Sequence, residues 1–283
     1  RIELIATATF GLEAVVKREI ENLGYKVKTA GNLDGAYAGY MAGTGKERAE
    51  WLNKMFADPE VDAIFCVRGG DGSARMMEYL DYDMIKNNPK IFVGYSDVTN
   101  LHLALTQECD FVTFHGPMVS SNIVDSFDEE TAESLFTALN SDEAFEFKNP
   151  KGYEIGVLKE GKATGKVIGG NLSLLYALQG TPYSLDAIID HCEQPPVLLL
   201  EDIGERHYHI DRMLHNLRLS GVLSRLDGVI VGQFTDCEDD PLMSCSIQET
   251  IAELFAEYDY PIIWDAPYGH VDENHPIFLS LKI

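Results

Sequence analysis

The stretch "VDAIFCVRGGDG", residues 61–72, decides how the rest of the chain is read. Its first seven residues are apolar apart from Asp62, which suits a strand buried on both faces of a parallel sheet. The run passes straight into Arg68-Gly69-Gly70-Asp71-Gly72, so the strand ends where the backbone can turn tightly and approach a ligand. Upstream, "GKERAEWLNKMFADP" (45–59) predicts a helix with Leu52, Met55 and Phe56 on one face and Pro59 beyond its end. Downstream, "SARMMEYLD" (73–81) predicts a helix and "KIFVG" (90–94) the next strand.

Further towards the start, "IELIAT" and "YKVKTA" predict strands on either side of an amphipathic helix, "GLEAVVKREIENLG" (11–24). Strand and helix alternate throughout, which predicts an α/β fold: a doubly wound, mainly parallel sheet in an N-terminal domain. Ligands of such sheets gather at the carboxyl ends of the strands. The polar, turn-rich stretch that follows places the first domain at 1–140 and a linker at 141–162. A second, smaller α/β domain is expected over 163–283, with strands near "KVIGG", "PVLLLED", "GVIVGQF" and "PIIWDAP" and a helix over "IDRMLHNLRLSG".

Composition narrows the function. Lys and Arg total 22 against 46 Asp and Glu, a formal charge of −24. Such a surface repels phosphate backbones and anionic membranes, so neither nucleic acid nor membrane is an expected partner. The cysteines Cys66, Cys109, Cys192, Cys237 and Cys245 form no C-x-x-C pair and read as reduced thiols of a cytoplasmic protein. The opening run "IELIATAT" has no signal-peptide character, in keeping with that compartment. No apolar stretch approaches the length of a membrane span.

Several places carry candidate chemistry, each beside a plainer reading. In "FVGYSDVTNLH" (92–102) a serine stands where a strand breaks into a helix. Ser96 or Asp97 is then either a helix cap or, in Ser96, a nucleophile on a strand–turn–helix elbow. The glycines of "RGGDG" could offer N–H groups to an oxyanion, but the run lacks the Lys-Ser/Thr of a phosphate loop. In "HYHIDRMLH", His207 and His209 at i and i+2 on a strand would share a face and could bind a metal, although no H-E-x-x-H spacing is present. The acidic turn "DCEDD" (236–240) lacks calcium-loop spacing. Glu201 follows four apolar residues, so its carboxylate needs a partner: an arginine such as Arg212, or a histidine that it orients. "APYGHVDENHP" supplies His270 in a loop after a strand. The chain order Ser96, Glu201, His270 is that of α/β-hydrolase triads.

The ordered motifs "RGGDGSARMMEYLDYDMI", "PKIFVGYSDVTNLHLAL", "FHGPM", "GGNLSLL", "GTPY", "LLLEDIGERHYHIDRML" and "YGHVDENHP" resemble those of the LD-carboxypeptidases, serine peptidase family S66. The resemblance implies Ser96 as nucleophile, Glu201 and His270 as the rest of the triad, and the backbone amides of Gly70 and Asp97 as oxyanion hole. It implies removal of a terminal D-alanine from a cytoplasmic muropeptide tetrapeptide in peptidoglycan recycling, by a homodimer that needs no metal or other cofactor. Arg68, Arg75 and Arg206, beside the motifs, are candidates for the donor to the substrate's terminal carboxylate. Asp71 stands where the family's G-G-Y-G has tyrosine. The first ~30 residues resemble instead the opening of THUMP-containing RNA methyltransferases. Two other functions fit the same motifs: a microcin-immunity peptidase cleaving peptidyl- or aminoacyl-nucleotide amides, and a catalytically impaired binding protein.

Overall fold

The computed structural model describes residues 3–6, 18, 21, 24–31, 36–124, 127–141, 149–237 and 244–280. The helix expected over 11–24 falls almost wholly outside them, as does most of the acidic turn. The chain forms two compact units, Arg1–Phe147 with Asp272–Phe278, and Lys148–Val271 with Leu279–Ile283.

In the first unit, β1 (Glu3–Ala6), β2 (Lys26–Thr29), β3 (Ala63–Phe65), β4 (Ile91–Gly94) and β5 (Thr113–His115) lie in the order β5-β4-β3-β1-β2. Every adjacent pair among these five is parallel. The chain leaves β1 towards β2 and then returns past β1 to β3, so the direction of winding reverses between β1 and β3. That reversal opens a crevice at the carboxyl ends of the strands. All three residues of β3 are buried, as an unbroken apolar run requires.

The helix Gly45–Ala57 forms where the sequence places it. Thr44 caps it, accepting from the Glu47 N–H, while the Glu47 carboxylate accepts from the Thr44 N–H. It buries Ala49, Leu52, Met55 and Phe56, and Phe56 stacks on Phe92 of β4 at 6.2 Å between centroids. Truncating Phe56 to alanine costs about 3–5 kcal/mol for a fully buried ring. "SARMMEYLD" departs from expectation: Ser73–Tyr79 is a 3-10 helix, entered through Gly72 in the left-handed region at φ 98°. The tight winding keeps Met76 and Met77 buried.

The second unit holds β6 (Gly156–Lys159), β7 (Val167–Asn171), β8 (Val197–Ile203), β9 (Gly228–Thr235) and β10 (Ile262–Trp264), ordered β6-β10-β9-β8-β7. Only β6 runs antiparallel among the pairs β6–β10, β10–β9, β9–β8 and β8–β7. It lies in the stretch read from sequence as linker, because its short alternating run was masked by the polar residues around it. Residues 272–278 return to the first unit, and β11 (Ile277–Leu279) pairs at the edge of the first sheet beside β5. There Phe278 packs on Phe114. Among the described residues, no helix is long and apolar enough to cross a membrane.

Candidate active site

β4 ends at Gly94, and Tyr95 continues extended into Ser96, whose φ is +64°. A serine in the left-handed region is uncommon and costs about 1–2 kcal/mol, which the surroundings must supply. The chain then turns through Ser96–Val98 into the helix Thr99–Cys109. Two contacts hold this elbow. The Gly94 carbonyl accepts from the Gly116 N–H and from His102 Nε2, the latter at 2.7 Å. His102 is fully buried, its Nδ1 2.9 Å from Thr113 Oγ1, and burial pushes its imidazole down to about 3. A neutral ring facing a carbonyl must carry its proton on Nε2, so the Thr113 hydroxyl donates to Nδ1.

Asp97 caps no helix. Its buried carboxylate accepts from the Ser73 N–H at 2.9 Å, and the Ser73 hydroxyl donates to the Asp97 carbonyl at 2.6 Å. Burial raises the Asp97 carboxyl, and the Ser73 hydrogen bonds oppose that rise. The serine after the "RGGDG" turn is thereby tied to the residue after Ser96. At the same place a Cβ on Gly69 would stand 2.7 Å from Ser96 Oγ and 3.3 Å from the Asp97 nitrogen. Only glycine fits, and its neighbour Gly70 has φ +94°.

In the second unit, β8 carries Glu201 with no exposed surface. The β8–β9 register slips here: Leu200 faces Val231 but Asp202 faces Phe234. The extra β9 residue is a bulge of the kind that re-aims a side chain. Glu201 Oε2 accepts from His270 Nδ1 at 2.8 Å. A carboxylate is acceptor-only when ionised, so Nδ1 carries the proton and Nε2 is the unprotonated, basic nitrogen. Gly269, at φ +114°, allows this approach: a Cβ there would stand 2.8 Å from Glu201 Oε2. The Thr235 hydroxyl donates to the His270 carbonyl at 2.8 Å. The neighbouring Asp202 accepts from Asn171 Nδ2 and the Ser173 and Ile203 N–H groups. Burial, with Glu201's charge adding, pushes its carboxyl up to about 7 against those hydrogen bonds.

The structure thus brings together Gly69, Ser96 and Asp97 in one unit, and Glu201 and His270 in the other. Arg68, Arg75 and Arg206 are all exposed. The histidine reading needs correction. His207 and His209 lie on the helix His207–Leu219, where an i, i+2 spacing points side chains apart. His207 is hydrogen-bonded to Thr250 and His209 to Glu205. Two polar residues escaped the sequence reading, His102 and the half-buried Arg48. A histidine or arginine inside an amphipathic helix gives no signal of its own.

Comparison with known proteins bears on the family and the fold. The family model described as the LD-carboxypeptidase N-terminal domain matches residues 2–116, including the atypical opening, and that of the C-terminal domain matches 164–283. A probable murein peptide carboxypeptidase of Bacillus subtilis is 36% identical over 93% of this chain and 80% of its own. A murein tetrapeptide carboxypeptidase of Pseudomonas aeruginosa is 28% identical over 97% of this chain and 89% of its own. In fold, the chain is similar to MccF in complex with glutamyl sulfamoyl guanosine, with a TM-score of 0.86 at 22% identity over 99% of this chain and 92% of that one. With both halves matched in order, the chain belongs to the LD-carboxypeptidase family and is a serine-type carboxypeptidase.

Proposed function

We propose that this protein hydrolyses the L,D-peptide bond of muropeptide tetrapeptides and releases their terminal D-alanine, as part of peptidoglycan recycling. The observation that carries the reading is the Glu201–His270 hydrogen bond, which leaves Nε2 as a base. His270 takes the proton of Ser96 Oγ as that oxygen attacks the scissile carbonyl carbon. The N–H groups of Gly70 and Asp97 stabilise the resulting oxyanion. Collapse of the intermediate breaks the C–N bond, and the imidazolium gives its proton to the leaving amine of D-alanine. Water, deprotonated by His270, then attacks the acyl-enzyme and frees the tripeptide. Glu201 fixes the tautomer and stabilises the imidazolium. The relatives named as murein peptide and murein tetrapeptide carboxypeptidases support the substrate class. We place the enzyme in the cytoplasm as a homodimer, which sedimentation and fractionation would check.

Incubation with a muropeptide tetrapeptide, followed by mass measurement, tests the reading. The expected products are free D-alanine and a tripeptide, with a tetrapeptide ending in L-alanine cleaved poorly. Inverting the leaving residue exchanges its methyl and carboxylate, while the carbonyl must stay about 3 Å from nucleophile and oxyanion donors. Equal cleavage of both epimers would overturn the substrate class. An aminoacyl-nucleotide amide in the same assay covers the second reading, since a solved relative carries a sulfamoyl nucleoside.

A further inference from the structure

Beside β3 and the run Cys66–Gly69 that continues it, the first unit holds a cavity of about 460 Å³. Its lining includes Met41, Trp51 and Met76 together with Gly69, which lies against Ser96, and Asp97, which follows it. Arg48 projects into the same lining from the first turns of the helix Gly45–Ala57. Its Nη1 is buried and has no hydrogen-bond partner among the described residues. Space for it is reserved by Gly72, where a Cβ would stand 3.0 Å from Nη1 and 2.5 Å from Met41 Sδ.

An unsatisfied guanidinium N–H inside a protein is costly and rarely kept without use. Burial weakens Arg48's hold on its proton, an effect opposed by the carboxylates of Asp97 and Asp71. Yet Asp97 already takes hydrogen bonds from the Ser73 N–H and hydroxyl, and Asp71 is exposed. Arg48 therefore keeps donor capacity towards the cavity. A carboxypeptidase must meet a terminal carboxylate, and here it must do so on a chain of net charge −24. Arg68, Arg75 and Arg206 are exposed, where a contact to a carboxylate contributes little.

We propose that this cavity is the subsite for the leaving residue, with Arg48 as the donor to its α-carboxylate. The guanidinium fork suits two parallel N–H···O bonds, and the Met41, Trp51 and Met76 side receives the residue's methyl group. The inference rests on the carboxypeptidase reading above and adds a residue and a place to it.

The test compares a muropeptide tetrapeptide with the same peptide amidated at its C-terminus, for wild type, Arg48→Gln and Arg48→Lys. Wild type should prefer the acid. In Arg48→Gln, kcat/KM for the acid should fall roughly 100-fold, mainly through KM, while the slower amide reaction changes less than about threefold. Arg48→Lys, which keeps the charge but not the fork, should fall between the two and serves if Arg48→Gln folds poorly. Labelling of Ser96 by a fluorophosphonate, which has no carboxylate to bind, reports whether the nucleophile is intact in each variant. An unchanged acid-to-amide ratio in both labelled variants would overturn the subsite alone. Failure of wild type to release D-alanine at all would remove the substrate reading and the subsite together.

Discussion

Glu201 Oε2 accepts the Nδ1–H of His270 at 2.8 Å, from a carboxylate with no exposed surface on a strand whose register slips at that residue. A buried carboxylate without a partner would be strongly destabilising, so the pair is a unit. Exchanging the acid for its amide keeps the shape but loses the charge and allows the wrong tautomer. Glu201→Gln, His270→Ala and Ser96→Ala should each lower kcat by roughly ten-thousand-fold. Double variants should be little worse than single ones, because the three act together. Near-wild-type turnover by Ser96→Ala would end the serine mechanism.

Gly269→Ala should damage catalysis although it replaces none of the three residues proposed as the triad. The added methyl meets Glu201 Oε2 at 2.8 Å and must occupy φ +114°. We expect a loss of about 1–3 kcal/mol and at least a tenfold fall in kcat. Gly221→Ala is the control: its φ is +85°, but nothing lies within 4 Å of the new methyl, so stability should drop and kcat should hold. Equal effects on kcat would remove the steric argument.

His102 makes stability depend on pH. Its folded pKa is about 3 against an ordinary 6.5, so between those values the unfolded chain binds one proton more. Stability therefore falls as pH drops through 6.5, by up to about 1.4 kcal/mol per pH unit for this one group. His102→Gln removes the proton while an amide can still donate to Gly94. Urea midpoints between pH 6.5 and 5 should fall more steeply for wild type than for this variant. Parallel slopes would show that His102 titrates normally.

Chelation should leave activity unchanged, because the proposed oxyanion donors are backbone N–H groups of Gly70 and Asp97. His209→Ala, which breaks the contact to Glu205, should also leave kcat within about twofold. Loss of activity in EDTA, restored by zinc and abolished in His209→Ala, would redirect attention to the helix His207–Leu219.

The parallel sheet was legible because β3 and β4 are apolar enough to declare burial on both faces, and Gly69 and Gly94 mark the turns that follow them. Glu201 announced itself as a carboxylate closing an apolar strand, and His270 as a loop histidine. The contact between them joins residues 69 apart and no local pattern specifies it. The bulge opposite Glu201 was invisible for the same reason: register is a property of two strands. His207 and His209 were misread because a two-residue spacing has meaning on a strand and none on a helix. The return of residues 272–278 to the first unit leaves no compositional mark at all.

The left-handed backbone of Ser96 makes the fold and the chemistry disagree about one side chain. For folding alone, glycine is the better residue at φ +64°, and Ser96→Gly should raise the thermal midpoint by the few degrees that about 1 kcal/mol confers. A scanning calorimeter would then mark the proposed nucleophile without any substrate. It is a position at which the less active variant should melt later than the wild type. A lower midpoint for Ser96→Gly would mean that the hydroxyl stabilises the elbow rather than burdening it. Selection that holds a serine where the backbone prefers none is selection for what its oxygen does.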